Sequence, residues 1–388
     1  MRIVQVTPSF PPSAFGGVST HVGLISDGLV ERGNTVSVVT TNRYDTRQTM
    51  PLNGLTKVNG IDVYYGSAHW PGRYFFAPRV LPVLKHWVPR ADLVHVHDTR
   101  TFLGLAAYLV SRRTTVPYIV TCHGSLSTWV GDTKLKRAHD RLIGIGLLRK
   151  ASRVIALNRQ ELTEIVDFGI PEQKITIIPN TFPLGPQLQT GSARPDKPEA
   201  AARTILYLGR IHPIKGIDRL LDAFSLLLER HSNCNLMIVG QDYGAQEPLQ
   251  RKVRVLGLGS KVSFPGPRYG TEKLALLNEA DVLVLPSYKE TFPFVVLEAF
   301  AHRLPVVATN NCGIAAELAA NHAALIASSP REFADAIEQC VYDYSAACDL
   351  RSGGLRMLTT TYNWEEAMSL LELTYEQVSA EQPIKGTI

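Results

Sequence analysis

No Cys-x-x-Cys pair occurs in this chain, and its five cysteines (122, 234, 312, 340 and 348) are scattered along 388 residues. That spacing argues against a structural zinc site and for reduced thiols in a cytoplasmic protein. No apolar run reaches the ~18 residues that suggest a membrane-spanning helix. The opening Met1-Arg-Ile-Val-Gln-Val-Thr-Pro8 reads as one short strand with no cleavage site, so no signal peptide is expected. Neither G-x-G-x-x-G nor G-x-x-x-x-G-K-[ST] is present, which weakens a dinucleotide or P-loop reading. Asp-x-Asp is missing too, so no metal bridging a ligand's phosphates is indicated and no cofactor is expected. No Ser-His-Asp or Cys-His constellation stands out, and no nucleic-acid recognition motif accompanies the basic residues.

What is present can fill real cores: 45% of residues are apolar and 19% charged. The length suits two domains of ordinary size. Charge is uneven, with a balance of +10 over residues 1–150 and −5 over the rest. A basic first half should meet something anionic. Apolar strands alternate with helical periods throughout, the pattern of α/β proteins with doubly wound parallel sheets. In the first half strands are expected at 2–7, 35–41, 92–98, 118–123, 153–157 and 175–178. In the second they are expected at 204–208, 235–239, 262–264, 281–285, 305–308 and 323–326. Residues 183–202, rich in Pro, Gly, Ser and charge, read as a linker. Domains are therefore expected at 1–185 and 203–362, followed by a terminal helix in 363–388. Asn363-Trp-Glu-Glu366 has a capping-box pattern, and Ala367, Leu370, Leu371 and Tyr375 would form the helix's docking face.

The most informative residues are two glutamates eight positions apart. Asp281-Val-Leu-Val-Leu-Pro-Ser287 reads as a strand ending in a turn, and Glu290 falls in the loop after it. Glu298 falls on the following helix, which Phe294, Val295, Leu297 and Phe300 would bury. Ligands of open α/β sheets sit at such strand ends. Two carboxylates there can grip a polyhydroxylated ligand, because ionised carboxylates only accept hydrogen bonds and hydroxyls donate them. Arg210 and Lys215 straddle the turn after another strand, where they can neutralise a diphosphate or be solvated surface charges. Gly16-Gly17, opening a helix with Val18, Val22, Ile25 and Leu29 on one face, is either an anion-binding turn or a tight connection. His123 ends a strand of the first half, where it can contact a sugar, take a proton, or be a satisfied structural histidine. His95 and His97 share one strand face and read as structural or peripheral.

Together these segments resemble the retaining GT-B glycosyltransferases of family 4, the group 1 transferases. The resemblance rests on Gly16-Gly17, His123-Gly124, Ile178-Pro-Asn180, Gly209-Arg210 with Lys215-Gly216, Val239-Gly240, Phe264-Pro-Gly266 and the Glu290/Glu298 pair. It implies two Rossmann-like domains facing across a cleft, with the Trp364 helix crossing back to the N-terminal domain. It also implies transfer of a sugar from a nucleotide diphosphate to a hydroxyl of a glycan or lipid-linked acceptor, with retention and without a metal. By resemblance Arg210 and Lys215 hold the diphosphate, Glu298 the ribose and Glu290 the transferred sugar. Thr291, Phe292, Pro293 and Phe294 follow Glu290, with backbone amides assisting. Gly16 and Gly17 approach the phosphates, Gly266 lies by the base, and His123 nears the sugar or reacting centre. The chain departs from the family pattern at Thr181-Phe182 after Ile-Pro-Asn, at Cys312-Gly313 before Glu317, and at Phe292-Pro293, where Phe-Gly is commoner. A nucleotide-sugar epimerase, or an inactive nucleotide-sugar-binding protein of the same fold, remains an alternative.

Residues 73–90 mix aromatics, leucines and bases, and Lys134, Lys136, Arg137 and Arg141 form a second basic cluster. Such a surface suits an anionic membrane, where each near-surface cation adds ~1 kcal/mol. It equally suits a charged helix covering its own core. Polysaccharide, lipopolysaccharide or glycolipid synthesis at the inner membrane face is the expectation that follows.

Overall fold

The computed structural model describes residues 1–13, 16–44, 48–69, 75–126, 134, 137, 139–185, 198 and 201–381. The chain divides into two units, Met1–Phe182 with Trp364–Ile388, and Pro183–Asn363. Most of the expected linker lies outside the described residues, as do Arg73, Tyr74 and Lys136.

The first unit holds an eight-stranded sheet. Its strands are β1 (Arg2–Val6), β2 (Thr35–Thr41), β3 (Gly54–Val58), β4 (Ile61–Gly66), β5 (Leu93–His97), β6 (Tyr118–Thr121), β7 (Arg153–Ala156) and β8 (Ile175–Ile177). They lie in the order β3-β4-β2-β1-β5-β6-β7-β8, with only β3 antiparallel among the described strands. The six expected strands are present with their ends moved by no more than two residues. β3 and β4 are additions. Their signal is Asn59-Gly60, both at positive φ (49° and 84°), between the paired Val58 and Ile61. Asn-Gly is the commonest two-residue hairpin turn. The strand before it alternates half-buried and exposed residues because it is a sheet edge, so it lacks the apolar run that marks the others.

Period-two alternation sorts this sheet into two faces. Val4, Val6, Val94, Val96, Val120 and Val154 pack on one side. Ile3, Leu93, Ile119 and Ile155 face the other, against Val22, Ile25 and Leu29 of the helix Gly17–Glu31 and against the helix Trp364–Ala380. The terminal helix buries Ala367, Met368, Leu371, Thr374, Tyr375 and Val378. Leu370, expected on that face, is 37% exposed. The buried stripe follows the i, i+4, i+7 course set by Ala367, Leu371 and Thr374, which leaves Leu370 off its edge.

The second unit holds six parallel strands: β9 (Arg203–Leu208), β10 (Cys234–Val239), β11 (Val262–Ser263), β12 (Val282–Leu285), β13 (Val306–Thr309) and β14 (Leu325–Ala327). Their order is β11-β10-β9-β12-β13-β14. The chain winds outward from β9 in one direction and from β12 in the other. The strand order therefore reverses between β9 and β12, and the loops leaving their carboxyl ends open a crevice at that point.

The helix Val80–Trp87 is short and runs into a single 3-10 turn, Val88–Arg90, with Pro89 in it. Its Lys85 and His86 are exposed while Val80 and Leu84 are buried. No helix among the described residues is long and apolar enough to cross a membrane.

Candidate active site

The reversal between β9 and β12 brings Lys215 to Glu290. The loop after β9 runs through His212, whose side chain accepts from the Ile214 amide, into the turn Pro213–Lys215. Gly216 follows at φ 63°, and a Cβ there would stand 2.0 Å from the Pro286 carbonyl oxygen. Only glycine tolerates both the left-handed backbone and this approach. That fit seats Lys215 against the end of β12. The Lys215 ammonium pairs with the Glu290 carboxylate, and each side chain is 14% exposed. Glu290 is held by its backbone as well: its amide donates to Asn311 and its carbonyl accepts from Gly313. The loop after β12 is thereby joined to the loop after β13.

Arg219, on the helix Ile217–Arg230, ties that helix to the loop after β12 and to the end of β13, and nothing in the sequence distinguished it. It is buried, and its guanidinium donates to the Pro286 carbonyl at 2.6 Å, the Ser287 carbonyl at 2.7 Å and Thr309 Oγ1 at 2.9 Å. It also lies over the rings of Tyr288 and Phe333. Burial lowers its pKa from the usual arginine range.

Glu298 lies on the helix Phe294–Ala301, which buries Val296, Leu297, Ala299 and Phe300. Phe294 and Val295, expected in that core, are only half-buried. Lys273 meets Glu298 Oε1 at 2.5 Å from the helix Gly270–Glu279. Sequence reading missed Lys273, because a lysine on a polar helix carries no local mark of its partner. Arg210 does not join Lys215 in a described contact. It is exposed, with its guanidinium 5.5 Å from the centre of the Tyr243 ring. Gly266 sits at φ 80° shortly before the Gly270 helix. Thr291 is half-buried, and Phe292 and Pro293 are buried. Pro293 has no N–H, so the donors after Glu290 reduce to Thr291, Phe292 and Phe294. Phe292 packs edge-on against Tyr362, whose hydroxyl donates to Glu317 at 2.8 Å.

The first unit presents a different cluster. Gly16 is at φ 84° ahead of the helix Gly17–Glu31, a conformation suited to glycine. That helix carries the buried His21. His123 lies two residues past β6 at φ 52°, a strained conformation for a non-glycine residue. The buried Glu161 pins this turn, accepting from Gly124 N at 2.5 Å and Leu157 N at 2.7 Å. His97, read from sequence as structural or peripheral, is the direct partner of His123: its Nδ1 is 3.0 Å from His123 Nε2. His97 Nε2 is 2.7 Å from Gln5 Oε1. Burial, reinforced by the neighbouring imidazoles, holds His95, His97 and His123 well below the usual histidine pKa. Burial alone lowers His21 to about 4. All four are uncharged at neutral pH.

His21, His97 and His123 place ring nitrogens within 4.8 Å of one another, the one such group among the described residues that can hold a metal ion. Two zinc-bound imidazoles at ~2.0–2.1 Å span roughly 3.3 Å across a tetrahedral edge. The 3.0 Å between His97 and His123 is instead an N–H···N hydrogen-bond distance.

Both halves of the chain match known families. Residues 16–181 match the family described as "Glycosyl transferase 4-like domain" and residues 202–343 the family "Glycosyl transferases group 1". An uncharacterised glycosyltransferase of Methanocaldococcus jannaschii is 30% identical over 81% of this chain and 82% of its own. Glycogen synthase of Mycobacterium tuberculosis is 28% identical over 97% of this chain and 94% of its own. The solved structure of Anabaena HepE in complex with UDP-glucose superposes with a TM-score of 0.74 at 20% identity, covering 97% of this chain and 100% of that one. The two matched halves and the two doubly wound sheets make the chain a member of the group 1 glycosyltransferases, with the GT-B fold.

Proposed function

We propose that this glycosyltransferase moves a sugar from a nucleotide diphosphate to a hydroxyl acceptor with retention and without a metal. The observation that carries the reading is the Lys215–Glu290 pair at the reversal of the second sheet. An ammonium has three donors, and the pairing with Glu290 uses one. The others suit phosphate oxygens, so one cation bridges the leaving diphosphate and the carboxylate that receives the sugar's hydroxyls. Arg210 adds positive charge, and its stacking on Tyr243 leaves the guanidinium fork able to face phosphate. Lys273 engages Oε1 of Glu298, and the second oxygen suits the ribose hydroxyls. Gly266 approaches the base. Gly16, Gly17 and His123 keep the donor-contacting roles that the resemblance implies. HepE, which shares the fold, binds UDP-glucose, and this supports a donor of the same chemical class.

In the step proposed, the acceptor hydroxyl attacks the anomeric carbon on the face the diphosphate leaves. The carbon–oxygen bond to the diphosphate breaks as the new one forms, and the hydroxyl proton passes to the departing phosphate oxygen. Arg210 and Lys215 stabilise the charge that develops there. The acceptor is a glycan or lipid-linked glycan of polysaccharide, lipopolysaccharide or glycolipid synthesis, reached at the inner membrane face through the exposed bases of the first unit. Incubation with UDP-, GDP- and ADP-sugars in the presence of a chelator tests the reading. One donor class should raise the melting temperature by mass action, and proton NMR of the product should show the donor's anomeric configuration. No shift with any donor, or an inverted product, would refute it.

A further inference from the structure

The partners of His123 specify more than its position. β1, β5 and β6 are neighbours, with Gln5 opposite His95 and His97 opposite Thr121. Period two puts Gln5, His95, His97, Thr121 and His123 on the face covered by the helices Gly17–Glu31 and Trp364–Ala380. The result is a polar chain in an apolar layer. Gln5 Nε2 lies 3.5 Å from the Tyr375 hydroxyl, which lies 2.7 Å from His95 Nδ1. His95 Nε2 reaches Thr121 Oγ1 at 2.8 Å. With its amide nitrogen turned to Tyr375, Gln5 presents its carbonyl oxygen to His97.

A carbonyl oxygen only accepts. The proton of neutral His97 is therefore on Nε2, directed at Gln5, and its Nδ1 is a bare lone pair. That lone pair is met by His123 Nε2 at 3.0 Å, so His123 must donate there. A neutral His123 with its proton on Nε2 has its remaining lone pair on Nδ1. Resting on the reading of His123 as a contact to the transferred sugar, we propose that Gln5 and His97 are positioning residues. They hold His123 in the Nε2–H tautomer, so that it meets the sugar as a hydrogen-bond acceptor through Nδ1. A hydroxyl, which can donate, is accepted at that position. A carboxylate or a deoxy carbon is not, because the lone pair is then repelled or left unpaired. An amide at position 5 also matters, since a carboxylate would stabilise an imidazolium at His97.

Long-range proton–nitrogen NMR of the histidine side chains in the full-length, ligand-free protein reads the tautomers directly. His97 and His123 should both appear neutral with the proton on Nε2. Gln5→Glu should charge His97, whose Nδ1–H then donates to His123 and forces it into the Nδ1–H tautomer. Turnover with a hydroxyl-bearing donor should fall about tenfold in that variant, the scale of one lost hydrogen bond, with KM little changed. An Nδ1–H or charged His123 in the wild-type protein would overturn the proposal, as would unaltered tautomers in a folded Gln5→Glu protein. Stoichiometric cobalt binding with imidazole ligation would overturn it as well, since the metal would take the lone pairs. If Gln5→Glu does not fold, the wild-type spectrum still decides. Because the tautomers are read without donor or acceptor, their failure leaves the transferase reading standing. Absence of transfer with every donor sinks that reading and leaves the tautomers as measured.

Discussion

Acid should destabilise the first unit through its buried histidines, and His21 gives the cleanest measure. Its pKa is about 4 in the folded chain, against ~6.5 unfolded. Above pH 6.5 both states are neutral and the full stability is present. As pH falls below 6.5 the unfolded chain takes up a proton that folded His21 refuses, so stability is lost, and the loss is complete near pH 4. The whole span amounts to ~3.4 kcal/mol at ~1.36 kcal/mol per unit. From pH 7.5 to pH 5 the share of His21 is about 2 kcal/mol. Burial shifts His95, His97 and His123 in the same direction, so they add to the loss as the pH falls. All four tryptophans, at 70, 87, 129 and 364, fall in the first unit. Tryptophan fluorescence during urea unfolding therefore reports this unit alone. Wild-type protein should lose about 2 kcal/mol more than His21→Gln between pH 7.5 and pH 5. The comparison cancels the titration of carboxylates common to both. Equal losses would show that His21 protonates freely in the folded chain and would refute the argument.

Glu290→Gln and Arg210→Ala should each lower turnover by ~10²-fold or more, measured by donor consumption at saturating acceptor; near-normal rates in both would remove them from the site. Gly216→Ala places a methyl against the Pro286 carbonyl and forces alanine into the left-handed region. It should cost at least ~2 kcal/mol in thermal or urea unfolding and loosen Lys215. Leu371→Ala should cost ~2–5 kcal/mol, whereas Leu370→Gln should stay within about 0.5 kcal/mol, as urea midpoints will show; equal effects would contradict the placement of the terminal helix.

The second sheet was almost wholly legible because β9, β10, β12 and β13 are buried apolar runs ending in turn residues. β3 was missed because an edge strand has one wet face, although Asn59-Gly60 marked the turn beside it. Leu370 was misplaced because a helix face drawn from apolar residues alone does not say which flank meets the sheet. Lys215, Glu290 and Glu298 could be named from strand ends, but their partners could not. Lys215 and Glu290 are 75 positions apart, and only the reversal of strand order between β9 and β12 makes them neighbours. Lys273 and Arg219 have no signature in their own segments, since each is defined by groups on other elements; Asn158-Arg-Gln-Glu161 has the capping-box spacing, but that does not show that Glu161 also holds Gly124.

Residue types and periodicity alone determined that this chain forms two parallel-stranded α/β sheets, and local turns determined which strand ends carry charge. These are properties of contiguous residues, fixed by steric preference and by the alternation of side chains across a strand. Tertiary structure alone decided which charges pair and in what state the histidines stand. His95 and His97 are ordinary strand residues until β1 and β6 flank them and two helices exclude water. Desolvation then favours their neutral forms, and the carbonyl of Gln5 faces Nε2 of His97.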